Sequence, residues 1–360
     1  MNLYVNNLYR EDVRLIAESD LPWDKLKGRS ILLSGATGLL GSFLADVILR
    51  KNETDGLNCK IYALTRNERE FRNRFLQYAD QPLLKHILQD VSKTFELDGF
   101  GDVDFVIHFA SNTHPVQYAT DPVGTITANI IGLKSMLDFA AEHHALRFAF
   151  ASSNEIYGEN RGDTEFFDED YCGYINSNTL RAGYTESKRC GEALCQAYKV
   201  QNGLDVVIPR FTRSYGPTML MSDSKAISQF IKRAVMDEDI VLKSLGTQYY
   251  SYQYMADSIS GFLTVLLCGS NGEAYNIAER HSDIRLKDLA EMIAEIRGNR
   301  VRYEIPDALE ASGYSAATKA RLDGSKLASL GWTPKYDIRS GVERTVSILL
   351  EMKEQGGLEF

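Results

Sequence analysis

The strongest constraint on the fold of this chain is a short glycine-rich turn that joins an apolar run to an amphipathic stretch. The apolar run is Ile31 to Leu33, the turn is Gly35-Ala36-Thr37-Gly38-Leu39-Leu40-Gly41, and a helical pattern runs from Gly41 to Arg50. Glycines at this spacing allow a tight turn, a close approach of the backbone to a pyrophosphate, and close packing of helix on strand. Unpaired N–H groups at the start of the helix hold the anion. We therefore predict a dinucleotide-binding unit whose cofactor contacts are Gly35, Thr37, Gly38, Leu39, Leu40 and Gly41.

The alternation of short apolar runs with longer amphipathic stretches continues beyond this unit. Further strands are predicted at Ile61 to Leu64, Phe105 to Phe109, Phe148 to Ala151 and Val206 to Pro209. Helices are predicted at Gly124 to His143, Tyr184 to Asn202, Ser224 to Met236 and Leu286 to Arg297. Apolar runs of this kind fit strands buried on both faces of a parallel sheet. We predict an α/β fold, a Rossmann-type doubly wound parallel sheet with a smaller, interwoven α/β C-terminal substrate domain.

Three regions are predicted along the chain. Residues 1–27 form an N-terminal extension, in which a helical pattern from Glu11 to Glu18 ends at Leu21-Pro22-Trp23. Residues 28–212 form the NAD(P)-binding Rossmann domain, and residues 213–350 form the smaller substrate-binding domain, partly interwoven with the first. The prolines are dispersed and no low-complexity tract occurs, so a flexible linker between separable domains is not expected.

Composition excludes several classes of protein. The chain has 360 residues, of which 44% are hydrophobic, and it lacks the run of about 18 apolar residues that a membrane-spanning helix needs. Its net charge is −9 and no dense cluster of Lys and Arg occurs, so neither nucleic acid nor a membrane is an expected partner. The N-terminus lacks the continuous apolar region of a signal peptide, which favours a cytoplasmic location.

The cysteines and histidines do not predict a metal site. The five cysteines are an odd number without C-x-x-C spacing, which argues against a disulfide framework and a zinc ribbon and favours reduced thiols. The six histidines are scattered, and the adjacent pair His143 and His144 cannot face one side of a helix together. We therefore expect no metal.

The end of the second predicted strand bears on the choice of cofactor. A carboxylate at this point normally binds the ribose hydroxyls of NAD, but this chain has Leu64-Thr65-Arg66-Asn67. Arg66 is either a ligand for the 2′-phosphate of NADP or a solvated residue at the head of a charged helix. The cofactor is therefore predicted as NAD(P), with both forms left open.

A Tyr and a Lys on one predicted helix indicate proton-transfer chemistry. Tyr184 and Lys188 are four residues apart and therefore lie on one face. A nearby ammonium and a cationic nicotinamide both favour the ionised phenol, so Tyr184 is predicted to take the proton from a sugar hydroxyl while hydride leaves for the nicotinamide. Ser153, in the cluster that follows the fourth predicted strand, is expected to hydrogen-bond the reacting oxygen; its alternative role is that of a turn or helix-cap hydroxyl.

With these motifs in this order, the chain resembles the extended short-chain dehydrogenase/reductase family over residues 28 to 350. That family contains nucleotide-sugar epimerases, dehydratases and decarboxylases. Asp90-Val91 looks like its adenine-binding acidic pair, and His108-Phe109-Ala110-Ser111 looks like its strand beside the cofactor. Asn129 falls where the family keeps an Asn on the following helix. The resemblance implies that Asp90, Val91, Ala110, Ser111 and Asn129 contact a bound NAD, together with Tyr184 and Lys188, and that the protein is a homodimer.

Within the family, the UDP-glucuronate decarboxylases are the most similar group. Their pattern is similar to Asp121-Pro122 through Asn129-Ile130-Ile131-Gly132, to Glu169-Asp170-Tyr171-Cys172-Gly173 and to Arg181 through Arg189. The segment Tyr215 to Met221 looks like their substrate loop. The resemblance implies that Arg181 binds substrate.

Two departures from the family pattern bear on the reaction. Ser153-Asn154-Glu155 stands where the decarboxylases carry Thr-Ser-Glu, so a hydroxyl and the catalytic carboxylate of Glu155 are kept. The dehydratases carry an Asp acid at the middle position, and Asn154, here a substrate contact, cannot deliver a proton as a carboxylic acid does. Arg213 replaces an Asn that contacts the substrate diphosphate, and Tyr250 replaces an Arg beside the reacting sugar. We predict that both bind substrate and that Arg213 supplies the lost charge to the diphosphate.

Together, the motifs and the resemblance predict a nucleotide-sugar-modifying enzyme that works through a 4-keto intermediate with a tightly bound, recycled nicotinamide cofactor. A 4-keto sugar can undergo three different reactions, and the same fold can support each of them. Decarboxylation of UDP-glucuronate or another nucleotide-uronate ranks first, 4-epimerisation second and 4,6-dehydration third. A non-catalytic dinucleotide sensor is a remote alternative, since Ser153, Tyr184 and Lys188 are all present.

Overall fold

A computed structural model describes residues 2–93, 103–111, 113, 118, 120–304, 306, 314 and 318–357. The strands of the first half are β1 (Ser30–Ser34), β2 (Lys60–Thr65), β3 (Leu84–Leu88), β4 (Phe105–His108), β5 (Arg147–Phe150), β6 (Ser152–Ser153) and β7 (Val206–Phe211). Those of the second half are β8 (Arg213–Tyr215), β9 (Ile240–Leu242), β10 (Tyr249–Tyr254), β11 (Ala274–Ile277), β12 (Asp283–Arg285), β13 (Val301–Tyr303) and β14 (Lys319–Ala320). The helices are α1 (Asn7–Ala17), α2 (Leu39–Asp55), α3 (Glu68–Arg74), α4 (Pro122–Glu142), α5 (Ala182–Asn202), α6 (Ala226–Val235), α7 (Met255–Cys268), α8 (Leu286–Arg297), α9 (Ser325–Ala328) and α10 (Ile338–Glu354).

The largest sheet is parallel and has the strand order β3-β2-β1-β4-β5-β7-β11, with β6 paired to β7. The chain moves outward from β1 through β2 to β3 and then returns to β4 on the other side of β1. In such sheets ligands bind at the carboxyl ends of the strands where the order reverses. The predicted Rossmann-type fold is confirmed, and its switch point lies between β1 and β4.

The predicted strands coincide with β1, β2, β4, β5 and β7, because each of these strands is buried along almost its whole length and contains a short apolar run. The sequence did not predict several other elements, among them β3, α7, the C-terminal helix α10 and the short strands of the second half. Strand β3 lies at the edge of the sheet and alternates buried with exposed residues. Helix α7 is buried on nearly every side. Its sequence therefore lacks a polar face, and without one the hydrophobic pattern of an amphipathic helix does not appear.

The second half of the chain builds two small sheets beside the large one. Strand β10 pairs with β8, β12 and β14, while β9 pairs with β13. Between these, β11 returns to the large sheet and pairs with β7. The boundary near residue 212 and the three regions stay predictions.

The N-terminal extension is bound to both halves of the chain through buried carboxylates. Asp12 of α1 is fully buried and accepts hydrogen bonds from the hydroxyls of Tyr254 (2.6 Å) and Tyr336 (2.7 Å) and from Nε of Arg344 (2.7 Å). These three donors belong to β10, to the loop before α10 and to α10. Helix α1 therefore joins the end of β10 to the C-terminal helix.

A second buried carboxylate joins the extension to the cofactor half. Asp46 of α2 accepts hydrogen bonds from the hydroxyl of Tyr9 and from Nη2 of Arg74, each at 2.5 Å. Helix α1 packs along α2 and also contacts α7 and α10. The extension thus holds together α2, which follows the glycine turn, and β10, whose other end reaches the cavity described below.

Among the residues that the structure describes, no helix is both long and apolar enough to cross a membrane.

We expect Asp12→Ala to destabilise the protein by about 3 kcal/mol, because the buried hydroxyl of Tyr254 and the partly buried donors of Tyr336 and Arg344 lose their acceptor together. Glu11→Ala is the matched control on the same helix: Glu11 contacts the same Arg344 at 3.0 Å, but its side chain is 51% exposed, so its loss is expected to cost less than about 1 kcal/mol. Urea unfolding of both variants measures the two free energies of unfolding. Equal losses would show that Asp12 does not anchor the extension.

Candidate active site

A cavity of about 610 Å³ opens at the carboxyl edge of the large sheet, at the switch point. From the first half of the chain it is lined by the glycine turn, by the residues after β4 and by the cluster after β5. From the second half it is lined by β8, by the loop before α6, and by residues of β9 and β10. Its lining includes Gly35, Gly38, Leu39, Leu40, Gly41, Ser111, Ser153, Asn154, Glu155, Arg181, Tyr184, Lys188, Arg213 and Tyr250.

The glycine turn fits the pyrophosphate of a dinucleotide. Gly35 has φ +70°, and a Cβ on it would lie 2.8 Å from the backbone N of Ala110. A Cβ on Gly41 would lie 2.3 Å from the carbonyl oxygen of Gly35. Helix α2 can therefore begin directly against the turn, and the first-turn N–H groups that have no partner within the helix face the cavity. This cradle has the shape and the donors that a dinucleotide requires.

Of the other predicted cofactor residues, Ser111 lines the cavity, and Asn129, Val91 and Ala110 support the ends of β3 and β4. Asn129 accepts a hydrogen bond from the Ser111 hydroxyl (2.7 Å) and donates one to the Ser187 hydroxyl (2.8 Å), so it joins the end of β4 to α5. Val91 packs against Gly132 of α4, and the N–H of Ala110 donates to Ser34.

Asp90 and Arg66 lie near the ends of β3 and β2. Asp90 accepts hydrogen bonds from the backbone N–H (3.0 Å) and the hydroxyl (2.7 Å) of Ser92. Arg66 is exposed and does not line the cavity. Thr37 is half-buried within the glycine turn. The cofactor contacts of these residues stay predictions.

Strand β6 and helix α5 bring the predicted catalytic residues together. Ser153 ends β6 and accepts a hydrogen bond from the N–H of Glu155 (3.2 Å), and its hydroxyl is near enough to Tyr184 to lower the pKa of the phenol. Lys188 lies one helical turn after Tyr184, with Nζ 5.9 Å from the centre of the Tyr184 ring. Its ammonium donates to the carbonyl oxygen of Ala151 at 2.8 Å. Ser153 is therefore both a cap and a partner of the phenol.

Burial acts against the phenolate that the sequence predicts for Tyr184 beside a bound nicotinamide. Burial raises the pKa of Tyr184 to about 12, although the hydrogen bond from Ser153 works in the opposite direction. Burial also lowers the pKa of Lys188 to about 8. In the protein without cofactor, burial therefore keeps Tyr184 a neutral phenol at pH 7. The positive charge of a bound nicotinamide is then needed to favour the phenolate.

Tyr118 is a site residue that the sequence did not reveal. Its ring stacks on that of Tyr184, with the centroids 4.8 Å apart, and its side chain lowers the pKa of the Tyr184 phenol. Cζ of Arg181 lies 4.7 Å from the centre of the Tyr118 ring. Tyr118 lies between β4 and α4, where no periodic pattern distinguishes one residue from the next.

The predicted substrate residues Asn154, Arg181, Arg213 and Tyr250 meet around Glu155. Nη2 of Arg181 donates to Glu155 at 2.7 Å, and Nη2 of Arg213 donates to it at 3.4 Å. The Tyr250 ring lies against Arg213, and Asn154 is buried in the same wall. The diphosphate contact of Arg213 stays a prediction; its observed neighbours are the carboxylate and the ring.

Lysines and arginines dominate the charged lining of the cavity. Among the described lining residues, the cations are Arg181, Lys188, Arg213, Lys225, Arg233 and Lys243, against the carboxylates Glu155 and Asp223. The last three cations were not predicted, because no local pattern shows that Lys225, Arg233 and Lys243 line the cavity. In the described part of the chain, no three His, Cys, Asp or Glu side chains are grouped as metal ligands.

A glycine cradle and a Ser–Tyr–Lys set at the switch point of a doubly wound sheet define a dinucleotide-binding enzyme. The sequence profile of the NAD dependent epimerase/dehydratase family matches residues 31–278. The chain belongs to this family, as the resemblance of its motifs predicted.

Curated relatives are identical to this chain at more than a quarter of the aligned positions. UDP-glucuronic acid decarboxylase 1 of Xenopus tropicalis is 29% identical over 322 residues, which are 88% of this chain and 71% of that protein. UDP-glucuronic acid decarboxylase 6 of Arabidopsis thaliana is 28% identical over 313 residues, 87% of this chain and 86% of that protein.

Solved structures share the fold at lower identity. The dTDP-glucose 4,6-dehydratase DesIV of Streptomyces venezuelae, solved with NAD bound, has a TM-score of 0.77 and 23% identity, covering 91% of this chain and 98% of that one. The UDP-glucuronic acid 4-epimerase of Bacillus cereus, in complex with UDP-glucuronic acid and NAD, has a TM-score of 0.76 and 21% identity. The match covers 90% of this chain and 99% of that one.

The lowered pKa of Lys188 makes stability depend on pH in a defined window. Between about pH 8 and the unfolded value of about 10.4, the unfolded chain binds more protons than the folded one, so stability rises with pH. Lys188→Met removes this dependence. The cofactor-free wild type is therefore expected to gain on the order of 3 kcal/mol relative to the variant between pH 7 and pH 10. Urea unfolding at several pH values measures the difference, and parallel curves for the two proteins would contradict it.

Proposed function

We propose that the chain is a nucleotide-sugar-modifying enzyme that works through a 4-keto intermediate and most resembles the UDP-glucuronate decarboxylases in its reaction. The observation that carries this proposal is the position of Ser153, Tyr184 and Lys188 in the same cavity as the glycine cradle. A phenol held beside a dinucleotide site is suited to move a proton from a hydroxyl as hydride leaves the carbon that bears it. The relatives named above support the assignment to nucleotide sugars.

The charge of the cavity supports an anionic ligand. The whole chain carries −9, yet the charged side chains that line the cavity are mostly cationic. Lys225, Arg233 and Lys243 lie on the side built by the second half of the chain, away from the glycine turn. Charge-assisted contacts of this kind suit the diphosphate of a nucleotide sugar.

The chemistry assigned to the residues of this chain is proton transfer and orientation. A bound nicotinamide would accept the hydride from C4 of the sugar and later return it. Tyr184 takes the proton from the O4 hydroxyl, with Ser153 holding that oxygen, and gives it back in the last step. Lys188 holds the cofactor ribose and, while charged, favours the phenolate.

Decarboxylation follows directly from a 4-keto group next to a C5 carboxylate. The C5–C6 bond breaks and carbon dioxide leaves, while the electron pair passes to O4 as an enolate. C5 then takes a proton from water and the enolate becomes the ketone again.

The second candidate is 4-epimerisation, in which the same ketone forms and the sugar turns before reduction. Dehydration ranks third, because Asn154 stands where an acid is needed.

We expect Tyr184→Phe to reduce turnover at least about a hundredfold while NAD binding stays within about threefold, since the ring is kept and only the proton acceptor is lost. Mass spectrometry of UDP-, CDP-, dTDP- and GDP-sugars incubated with wild type and variant measures turnover, and calorimetric titration measures NAD binding. Wild-type activity in the variant would overturn the assignment of Tyr184. A wild type that changes no sugar of the panel would favour the dinucleotide sensor.

The cofactor is proposed to be NAD, with NADP as the alternative that Arg66 raises. If Arg66 binds the 2′-phosphate, Arg66→Ala weakens NADP by about tenfold or more and leaves NAD unchanged. The matched control is Arg69→Ala, another exposed arginine one turn further along the chain. Titration of both cofactors against the wild type and the two variants measures the affinities. An equal effect of Arg66→Ala on NAD and NADP would show that Arg66 is a solvated residue and not a ligand of the 2′-phosphate.

We also propose that the chain has two domains that meet near residue 212, and that the protein is located in the cytoplasm.

In addition, we propose that the protein is a homodimer. Helices α4 and α5 pack side by side, and α4 exposes the apolar side chains of Val123, Ile126 and Ile131. A paired helical interface would cover them. Sedimentation equilibrium is expected to give twice the mass of the chain.

A further inference from the structure

Two arginines share one carboxylate beside Tyr184. Arg181 and Arg213 donate to different oxygens of Glu155, at 2.7 Å and 3.4 Å. All three side chains are at least four-fifths buried, with exposures of 13%, 16% and 16%. Among the described residues of this cluster, two guanidinium charges against one carboxylate leave an excess of one positive charge in a place where water screens it poorly.

The guanidinium of Arg213 is held in place by an aromatic ring. Its Cζ lies 3.5 Å from the centre of the Tyr250 ring. Strands β8 and β10 run parallel with Arg213 opposite Tyr252, so Arg213 and Tyr250 lie on the same face of neighbouring strands. The stack fixes the plane of the guanidinium, and the contact with Glu155 fixes its direction within that plane.

Several buried donors of this cluster have no partner among the described residues. They are Nε and Nη1 of Arg181, Nη1 of Arg213 and Nδ2 of Asn154. A buried donor without an acceptor costs free energy, and such groups in folded proteins are normally satisfied. Because all of these atoms belong to residues that line the cavity, a ligand in the cavity is the natural acceptor. Guanidinium groups match a planar carboxylate best, through two N–H bonds at once.

The cluster also lies beside the predicted reacting group. Cζ of Arg181 is 5.7 Å from the centre of the Tyr184 ring, and Glu155 follows Ser153 by two residues in the same wall. If O4 of the sugar is at the Tyr184 hydroxyl, the substituent on the neighbouring carbon C5 is within reach of Arg181 and Arg213. A neutral hydroxymethyl group there would leave the positive charge without a counterion.

We propose that Arg213, stacked on Tyr250 and acting with Arg181, binds a carboxylate carried by the sugar at C5 and so selects nucleotide-uronates over neutral nucleotide-hexoses. Arg213 and Arg181 are specificity-determining residues, and Tyr250 is a positioning residue. This inference rests on the proposed nucleotide-sugar function, and it assigns Arg213 to the sugar and not to the diphosphate.

The test compares three ligands that share one nucleoside diphosphate. Calorimetry with the NAD-loaded Tyr184→Phe protein, in which turnover is blocked, first finds which of UDP, dTDP, CDP and GDP binds most tightly. The free diphosphate, its glucose ester and its glucuronate ester are then titrated. We expect the glucuronate to bind at least about tenfold more tightly than the glucose ester.

Arg213→Gln, made in the same background, is expected to weaken the glucuronate ester by about tenfold to a hundredfold and to change the glucose ester and the free diphosphate by less than about twofold. Arg233→Gln is the matched control, since Arg233 lines another part of the same cavity. It is expected to leave the ratio of the two sugar affinities unchanged. An equal loss of all three ligands in Arg213→Gln would show that Arg213 binds the diphosphate, and no loss would show that it does not bind substrate; either result overturns the inference.

A pair of Tyr250 variants tests the stack. Tyr250→Phe keeps the ring and is expected to keep the preference for the uronate, whereas Tyr250→Leu is expected to lower that preference by about threefold to tenfold. Equal losses in both variants would overturn the positioning role. If the wild-type background binds none of the nucleotide sugars, the inference and the proposed function both fail. If it binds them with the expected preference but wild-type protein turns none over, only the proposed function fails.

Discussion

The close approach of helix α2 to the turn before it sets the geometry on which the rest of this structure depends. A side chain at Gly41 would meet the Gly35 carbonyl, and one at Gly35 would meet the backbone of Ala110. Only glycine allows α2 to begin so near to β1 and β4. That position fixes the site for the pyrophosphate, and the parallel sheet then fixes where β5, β6 and β7 end relative to it. Ser153 and Tyr184 belong to the far side of the same edge.

The cavity carries buried charge that costs stability, and other parts of the chain offset this cost. Lys188 is desolvated enough for its pKa to fall to about 8, and several guanidinium donors nearby are unsatisfied. Elsewhere, buried carboxylates are well partnered: Asp12 has three donors and Asp46 pairs with Arg74. These contacts tie the N-terminal extension to both halves of the chain. Among the described residues, buried donors without a partner are thus concentrated on Arg181, Arg213 and Asn154 within the cavity, although single atoms elsewhere, such as Nε of Arg74, also lack one.

The sequence predicted those strands, helices and site residues that a local pattern of residues encodes. The buried strands of the large sheet contain short apolar runs, and the spacing of Tyr184 and Lys188 puts them on one helical face, so both were found. Helix α7 was missed because burial on all sides removes its period. Tyr118, Lys225 and Lys243 reach the cavity only through the tertiary fold. The stack of Arg213 on Tyr250 depends on the pairing of β8 with β10, two strands separated by more than thirty residues, and no local pattern predicts it.

The central claim is that hydride leaves C4 of a nucleotide sugar and returns to it within one turnover at Tyr184. The most direct measurement is rapid mixing of the NAD-loaded wild-type protein with a nucleotide-uronate, following the absorbance of reduced nicotinamide, with C4-protiated and C4-deuterated substrate. We expect the absorbance to rise and then fall within a turnover, with a slower rise for the deuterated sugar. Formation of product with no reduced nicotinamide and no isotope effect would contradict the claim.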